Sequence, residues 1–526
     1  MKKEKRLQKK NQPFVVLLIL DGWGVAPPHF GNALGRAKIF NFERLRKSFP
    51  FTTLVASGRR VGLGSDEPGN SEAGHLNIGA GRVVAQDGVR ICHAVNDGTF
   101  FRNGALLSAV HYVREKKSAF HIVTLLSAKE NGHAHPDHLF ALMAFVKIMK
   151  LKKVFFHLIT DGRDSSPFDA LRLLEKYKRA FARVGKVATV TGRYWAMDRN
   201  KEWHRTERAY HAMVLGEGIT FEDPIMAVEH AYKSGLSDEF LEPSVITKNH
   251  RPVGTIKNND ALIFLNLRSD RARQMAKPFV QNDFEKRGGG FVRKKIFKDL
   301  FFVAFTDFGP DLDSIVTAFP SSPLLMTLPL VFGLRYNQCY LAESEKYAHI
   351  TYFFNGGYAN PIAKETRIRV LSPEVKSFSL APEMSIRALS QRIEHIILQR
   401  KYDFIAANIA NADMVGHTGD IRAAIIAVEK IDECIGKISK IVARCGGILI
   451  ITADHGNVEE MIDHETNEMD TKHSRFPVPF MVIGKKFRGK KLRDGGALCD
   501  IAPTILKIFG IPQPKEMTGN SLFRKM

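Results

Sequence analysis

At 526 residues, 44% hydrophobic and 25% charged, the chain has the composition of a soluble globular protein and is too long for one ordinary core, so two domains are expected. Its 77 Lys and Arg against 55 Asp and Glu give +22, which points to anionic partners; with no RNA-binding signature and no basic run interleaved with aromatics, nucleic acid is set aside for a solvated basic surface or an anionic substrate. No apolar run approaches the ~18 residues of a membrane helix, and Cys92, Cys339, Cys434, Cys445 and Cys499 share no C-x-x-C spacing, which argues against a disulfide framework or zinc knuckle and for a reducing, cytoplasmic setting.

Met1–Lys10 holds six basic residues and one acid, and Phe14–Leu20 follows as an unbroken apolar run. The order mimics a signal peptide, but the run is short, has no A-x-A site and leads into Asp21-Gly22-Trp23-Gly24, so a buried strand ending at Asp21 is the better reading. Ala37–Phe49 reads as helix and Thr53–Ala56 as the next strand. A Gly-rich loop, Gly62 to Gly69, then opens into Asn70-Ser71-Glu72-Ala73-Gly74-His75. Ser71 is either a helix N-cap or a hydroxyl beside unpaired N–H groups that favour an anion, and the residues alone favour the cap. The stretch is not the G-x-S-x-G elbow of α/β-hydrolases.

From Gln86 to Asp307 strands and helices alternate, with strands expected at His121–Leu126, Val154–Ile159, Val187–Thr191 and Ala261–Leu267. Their carboxyl ends carry His133 and His135, then Asp161-Gly162-Arg163-Asp164, then Arg193, then Arg268 with Arg271; Arg199 stands in Met197-Asp198-Arg199-Asn200. Any one of these arginines reads as a surface residue paired with a local acid. Their recurrence after successive strands favours a site for phosphate and carboxylate, which guanidinium binds bidentately. His133-Ala134-His135-Pro136-Asp137-His138 fits the H-x-H-x-D-H metal signature of the metallo-β-lactamase fold, but that fold leaves other chemistry-bearing stretches without a role. Gly288-Gly289-Gly290 reads as a surface loop and Gly309–Pro323 as a linker.

Phe404–Ile409 is another strand, followed by Asp413 and His417, which at i, i+4 share one helix face and can grip one ion. Ile448–Ile451 is a buried strand leading through Thr452-Ala453 to Asp454-His455, and His473 follows in a loop. Asp21, Ser71, Asp413, His417, Asp454, His455 and His473 suffice for two cations, and oxygen and nitrogen ligands without thiolate suit Mn²⁺ or Zn²⁺.

Asp21-Gly22-Trp23-Gly24, Gly69 to His75, Asp161 to Asp164, Gly192-Arg193-Tyr194, Asp270 to Arg273, Glu345-Lys346-Tyr347, Asp413 to His417 and Thr452 to Asn457 together resemble, in chain order, the cofactor-independent phosphoglycerate mutases of the alkaline phosphatase superfamily. The likeness runs from about Phe14 to Leu522. It implies an α/β fold, with an alkaline-phosphatase-like mixed or parallel sheet domain (1–85 and 314–526) into which a second α/β domain (86–313) is inserted. It implies interconversion of 3-phosphoglycerate and 2-phosphoglycerate through a phosphoserine on Ser71, with no 2,3-bisphosphoglycerate, by a monomer. Asp21, Ser71, Asp454 and His455 would hold one Mn²⁺, and Asp413, His417 and His473 the other. His133, Arg163, Asp164, Arg193, Arg199, Arg268, Arg271 and Lys346 would bind phosphoglycerate, with domain closure excluding water. The alternative is a metal-dependent phosphomonoesterase or phosphopentomutase-like enzyme of the same superfamily. One departure is Glu130-Asn131-Gly132-His133-Ala134-His135, where relatives commonly read G-G-V-H-S-H. The family explains neither the basic N-terminal extension nor the +22.

Overall fold

A computed structural model of the chain describes residues 14–128, 131–288, 290–309, 311–463 and 467–524. The basic stretch Met1–Lys10, Glu130 of the departing loop and Gly289 lie outside these residues. The chain divides into two compact units, one of Met1–Gln86 with Ser322–Met526 and one of Asp87–Ser321. Each is α/β around a mixed, mainly parallel sheet, as the resemblance implied.

The first unit's sheet has eight strands in the order Glu365–Val370, Gln338–Glu343, Phe404–Ile409, Val15–Leu20, Ile448–Thr452, Val478–Ile483, Phe51–Val55, Gly496–Ala497. Every residue of Val15–Leu20, Phe404–Ile409 and Ile448–Thr452 is buried, and all but Asn408 and Thr452 are apolar, the pattern of parallel strands covered on both faces. Their register is level: Ile19 pairs with Asn408 on one side and Thr452 on the other. The three carboxyl ends therefore come out side by side, where open α/β sheets place their chemistry. Val478–Ile483 then runs antiparallel to Ile448–Thr452.

The helix expected over Ala37–Phe49 is two helices, Ala33–Arg36 and Phe40–Ser48, with Ala37 extended between them. The cause is distant in sequence. Asp432, on the long helix Ile421–Arg444, accepts the N–H groups of Asn41 and Phe42 at 2.9 and 2.7 Å, and Glu429 accepts that of Lys38 at 3.0 Å. These carboxylates satisfy the free donors of a helix start and fix it there.

In the second unit the order is Ile315–Thr317, Phe301–Ala304, Ala261–Leu265, Phe120–Leu125, Val154–Thr160, Lys186–Gly192, Ser244–Lys248, Ile219–Phe221. The first six are mutually parallel and Ser244–Lys248 turns antiparallel. The segment read as a linker, Gly309–Pro323, contains Ile315–Thr317, which pairs with Phe301–Ala304. The chain accordingly leaves this unit after Ser321 rather than at the expected 313. Among the described residues no helix is long and apolar enough to cross a membrane.

Candidate active site

Asp21 ends the central strand of the first unit. Its N–H donates to Ile409 O at 3.0 Å and its carbonyl accepts the Asp413 N–H at 3.0 Å, so one turn binds two strand ends together. Gly22 makes that turn at φ +77°, and a Cβ there would lie 2.7 Å from Asp413 Cα. Only glycine allows both the left-handed conformation and the approach of two acids.

Ser71 opens the helix Ser71–Ala80, but it is not the cap. Asn70 takes that place, accepting the Ala73 N–H on Oδ1 at 2.8 Å. The Ser71 hydroxyl is thereby released from helix capping. It donates to Asp21 Oδ1 at 3.2 Å, accepts from Lys346 Nζ at 2.7 Å and lies 2.9 Å from His455 Nε2. The helix packs close upon Asp454, since a Cβ on Gly74 would meet Asp454 O at 2.6 Å.

Asp413 lies on the short helix Asn411–Gly416 and His417 at its end, with His417 Nε2 3.3 Å from Asp413 Oδ1. His473 Nε2 is 3.1 Å from the same oxygen, and the His473 ring stacks on that of His455 with centroids 3.9 Å apart. Ligand atoms of Asp413, His455 and His473 lie within 4.8 Å of one another, as do those of Asp21, Asp454 and His455. His455 thus stands at the junction of the two expected ligand sets. His417 and His473 turn Nδ1 to the carbonyls of Thr471 and Gly69, each at 2.8 Å. An Nδ1–H on a carbonyl leaves the Nε2 lone pair facing the carboxylates, the arrangement of a metal-binding imidazole.

Burial works against charge on Asp21 and Asp413, yet Lys346 together with the neighbouring imidazoles, His455 at Asp21 and His473 and His417 at Asp413, holds both carboxyls well below their usual range. Lys346 Nζ donates to Asp21 Oδ1 at 2.7 Å and Asp413 Oδ2 at 2.6 Å. Burial also opposes charge on His455, but Asp454, Asp21 and Asp413 prevail and raise it to about 9. Asp454 Oδ2 is buried and makes no hydrogen bond among the described residues. Its neighbour at 3.2 Å, His75 Nδ1, is within hydrogen-bonding distance of the Ser71 carbonyl at 2.9 Å. Three buried carboxylates, one orphaned oxygen and inward-facing imidazoles, with no thiolate, fit hard-to-borderline divalent cations.

A cation at His455 must displace its proton. Because the folded pKa is raised, protons compete throughout the range below about 9, not only below the ~6.5 of an ordinary imidazole. The apparent Mn²⁺ affinity is expected to climb about tenfold per pH unit from 7 to 9 and then level. Calorimetric titration checks this, and a flat profile over that window removes His455 from the ligand set.

Three residues here escape sequence reasoning. Asn408 donates to Asp21 Oδ2 at 2.6 Å, Asn457 donates to Asp413 Oδ1 at 3.1 Å, and His75 stands beside Asp454. The available signals were the i, i+4 spacing of Ser71 and His75 and a polar Asn408 inside a wholly buried strand.

In the second unit the expected anion-binding residues gather at the carboxyl ends of four adjacent parallel strands. Arg193 is buried and donates to Asp161 Oδ1 at 2.5 Å and Asp164 Oδ2 at 2.6 Å. Burial opposes its charge, but the two carboxylates raise its pKa. Arg199 pairs with Asp270 at 2.7 Å, Arg163 Nη1 lies 3.8 Å from Glu239, and the Arg268 guanidinium lies against Gly132. Arg271 is lowered by burial and then by Arg199, Arg193 and Arg163, a mutual repulsion that a bound anion relieves. His133 is lowered to about 4 by burial and by Arg193 and Arg268.

The profile of the metalloenzyme superfamily matches residues 14–513. The chain is therefore a member of that superfamily, in keeping with its clustered carboxylates and imidazoles. It is 45% identical over 523 residues to the 2,3-bisphosphoglycerate-independent phosphoglycerate mutase of Moorella thermoacetica, covering 98% of this chain and 99% of that one. It is 44% identical over 515 residues to the enzyme of the same description from Clostridioides difficile, covering 97% and 99%. A crystal structure of Leishmania mexicana phosphoglycerate mutase at low cobalt concentration superposes with a TM-score of 0.77 at 26% identity, over 98% of both chains. The chain belongs to the 2,3-bisphosphoglycerate-independent phosphoglycerate mutases.

Proposed function

We propose that the chain interconverts 3-phosphoglycerate and 2-phosphoglycerate through a phosphoserine on Ser71. The observation that carries this reading is the Ser71 hydroxyl, excused from capping and held 2.7–3.2 Å from Lys346, His455 and Asp21. Asp21, Ser71, Asp454 and His455 would hold one Mn²⁺, and Asp413, His417 and His473 a second. Bound there, the cations lower the hydroxyl pKa and neutralise phosphoryl charge.

Lys346, already bonded to the Ser71 oxygen, contributes positive charge to the equatorial oxygens as the phosphoryl group transfers. In the second unit Arg163, Arg193, Arg199, Arg268 and Arg271 hold the glycerate carboxylate while the freed molecule turns. Asp164, lowered despite burial by its bond to Arg193, and His133, at about 4, are both unprotonated at neutral pH and able to take a hydroxyl proton. Each ligand set comes from this one chain, so neither needs a residue from a second copy. An odd number of cysteines without C-x-x-C spacing supports a reducing, cytoplasmic setting.

An enolase-coupled assay supplied with 3-phosphoglycerate and no 2,3-bisphosphoglycerate tests the reading. Turnover is expected, with loss in EDTA and recovery on adding Mn²⁺. A strict requirement for 2,3-bisphosphoglycerate, or turnover indifferent to EDTA, refutes it.

A further inference from the structure

The imidazoles of the H-x-H-x-D-H stretch take no part in the site described above, apart from His133. His135 precedes the helix Pro136–Ile148 as its N-cap, and His138 is buried in its first turn. Their rings stack with centroids 4.7 Å apart. From the helix Asp87–Asn96 comes Cys92, whose Sγ is 3.3 Å from His138 Nε2. One ligand atom from each of Cys92, His135 and His138 falls within a common 4.8 Å.

We propose that Cys92, His135 and His138 form a second, separate metal site in the Asp87–Ser321 unit, selective for a borderline-soft divalent cation of the Zn²⁺ class. Tetrahedral Zn²⁺ with its usual Zn–S and Zn–N lengths separates sulfur from nitrogen by about 3.6 Å. The observed 3.3 Å requires only a small adjustment. One thiolate and two imidazoles is a softer donor set than the oxygen-rich one around Ser71, so the two sites discriminate between metals by chemistry. Three protein ligands leave a fourth position for water. The His135 side chain, 16% exposed, gives the ion a way in.

Uptake deprotonates the Cys92 thiol, and that proton goes to solvent while sulfur donates its electron pair to the cation. His135 Nδ1 accepts the Asp137 N–H at 3.2 Å, which fixes the ring at the start of the helix that begins directly after the His133 loop.

Co²⁺ is the probe, because thiolate ligation gives a sulfur-to-cobalt charge-transfer band in the near ultraviolet that the cysteine-free Ser71 site cannot produce. With Co²⁺ in excess over all the proposed sites, the full chain is expected to show this band at the intensity of one thiolate-bound ion, and Zn²⁺ to bleach it. Cys92→Ser should abolish the band while mutase turnover persists, and His138→Asn and His135→Gln should each weaken Co²⁺ binding at this site at least tenfold. Circular dichroism confirms that the variants are folded. No band in the parent chain, a band surviving Cys92→Ser, or one indifferent to both histidine variants overturns the proposal.

Discussion

Ser71→Ala is expected to lower mutase turnover by on the order of 10⁴-fold to 10⁶-fold, the range for loss of a nucleophile, and to abolish covalent labelling by radioactive phosphoryl substrate. The structure makes this substitution unusually clean. Asn70, not Ser71, caps the helix, so the helix start keeps its Asn70 to Ala73 bond. Lys346 retains Asp21 and Asp413 as hydrogen-bond partners, so no buried charge is stranded. The melting temperature should therefore move little while activity collapses. Of the three groups Lys346 bonds, Ser71 supplies the hydroxyl and the other two are carboxylates. Labelling that survives in Ser71→Ala, at full occupancy and with turnover retained, disproves the nucleophile assignment.

The strands that build this site were legible because their sequence pattern is continuous and apolar. Val15–Leu20 and Ile448–Thr452 stop at Asp21 and just before Asp454, where unbroken hydrophobic runs meet a carboxylate. Asp413 and His417 were legible from helical spacing alone, and the structure gives them a shared contact at 3.3 Å. Ser71 was harder. Asn and Ser are both good caps, and a one-residue choice between them depends on what the serine can reach in three dimensions. The split of Ala37–Phe49 was invisible for a similar reason, since the acid that starts the second helix, Asp432, is some 390 residues away in sequence. Ile315–Thr317 is too short for alternation to register and exists because Phe301–Ala304 offers it an edge.

The arginine set shows the same division. Recurrence at successive strand ends located it, because parallel strands with level register bring their following loops together. Which of its members are already neutralised could not be read, since pairing depends on loop geometry. Arg193 is clamped by two aspartates, whereas Arg271 is surrounded by other guanidiniums. Lys346 was assigned only through the resemblance. It follows the strand Gln338–Glu343 in a short turn, and nothing local distinguishes it from a surface lysine.

Lys346→Met is expected to destabilise the metal-free protein by about 3–5 kcal/mol at neutral pH, the cost of breaking a buried ion pair from one side. Methionine fills much of the space but leaves Asp21 and Asp413 without the ammonium that is the largest influence opposing their burial. Those carboxyls are depressed in the folded chain, so the stability they contribute is present above the ordinary carboxyl range and lost as pH falls. Without Lys346 their pKa values rise and they can protonate, so the deficit should be largest near pH 7 and shrink towards about pH 4. Saturating Mn²⁺ should also narrow it, because divalent charge among the same carboxylates replaces what the lysine supplied. Turnover should nevertheless stay about 10²-fold to 10³-fold below the parent even at full metal occupancy, the usual consequence of removing a charge aimed at transferring oxygens. Thermal melts at several pH values, with and without Mn²⁺, separate the two roles. A variant as stable as the parent at neutral pH without metal rules out the electrostatic one, and full turnover in Mn²⁺ rules out the catalytic one.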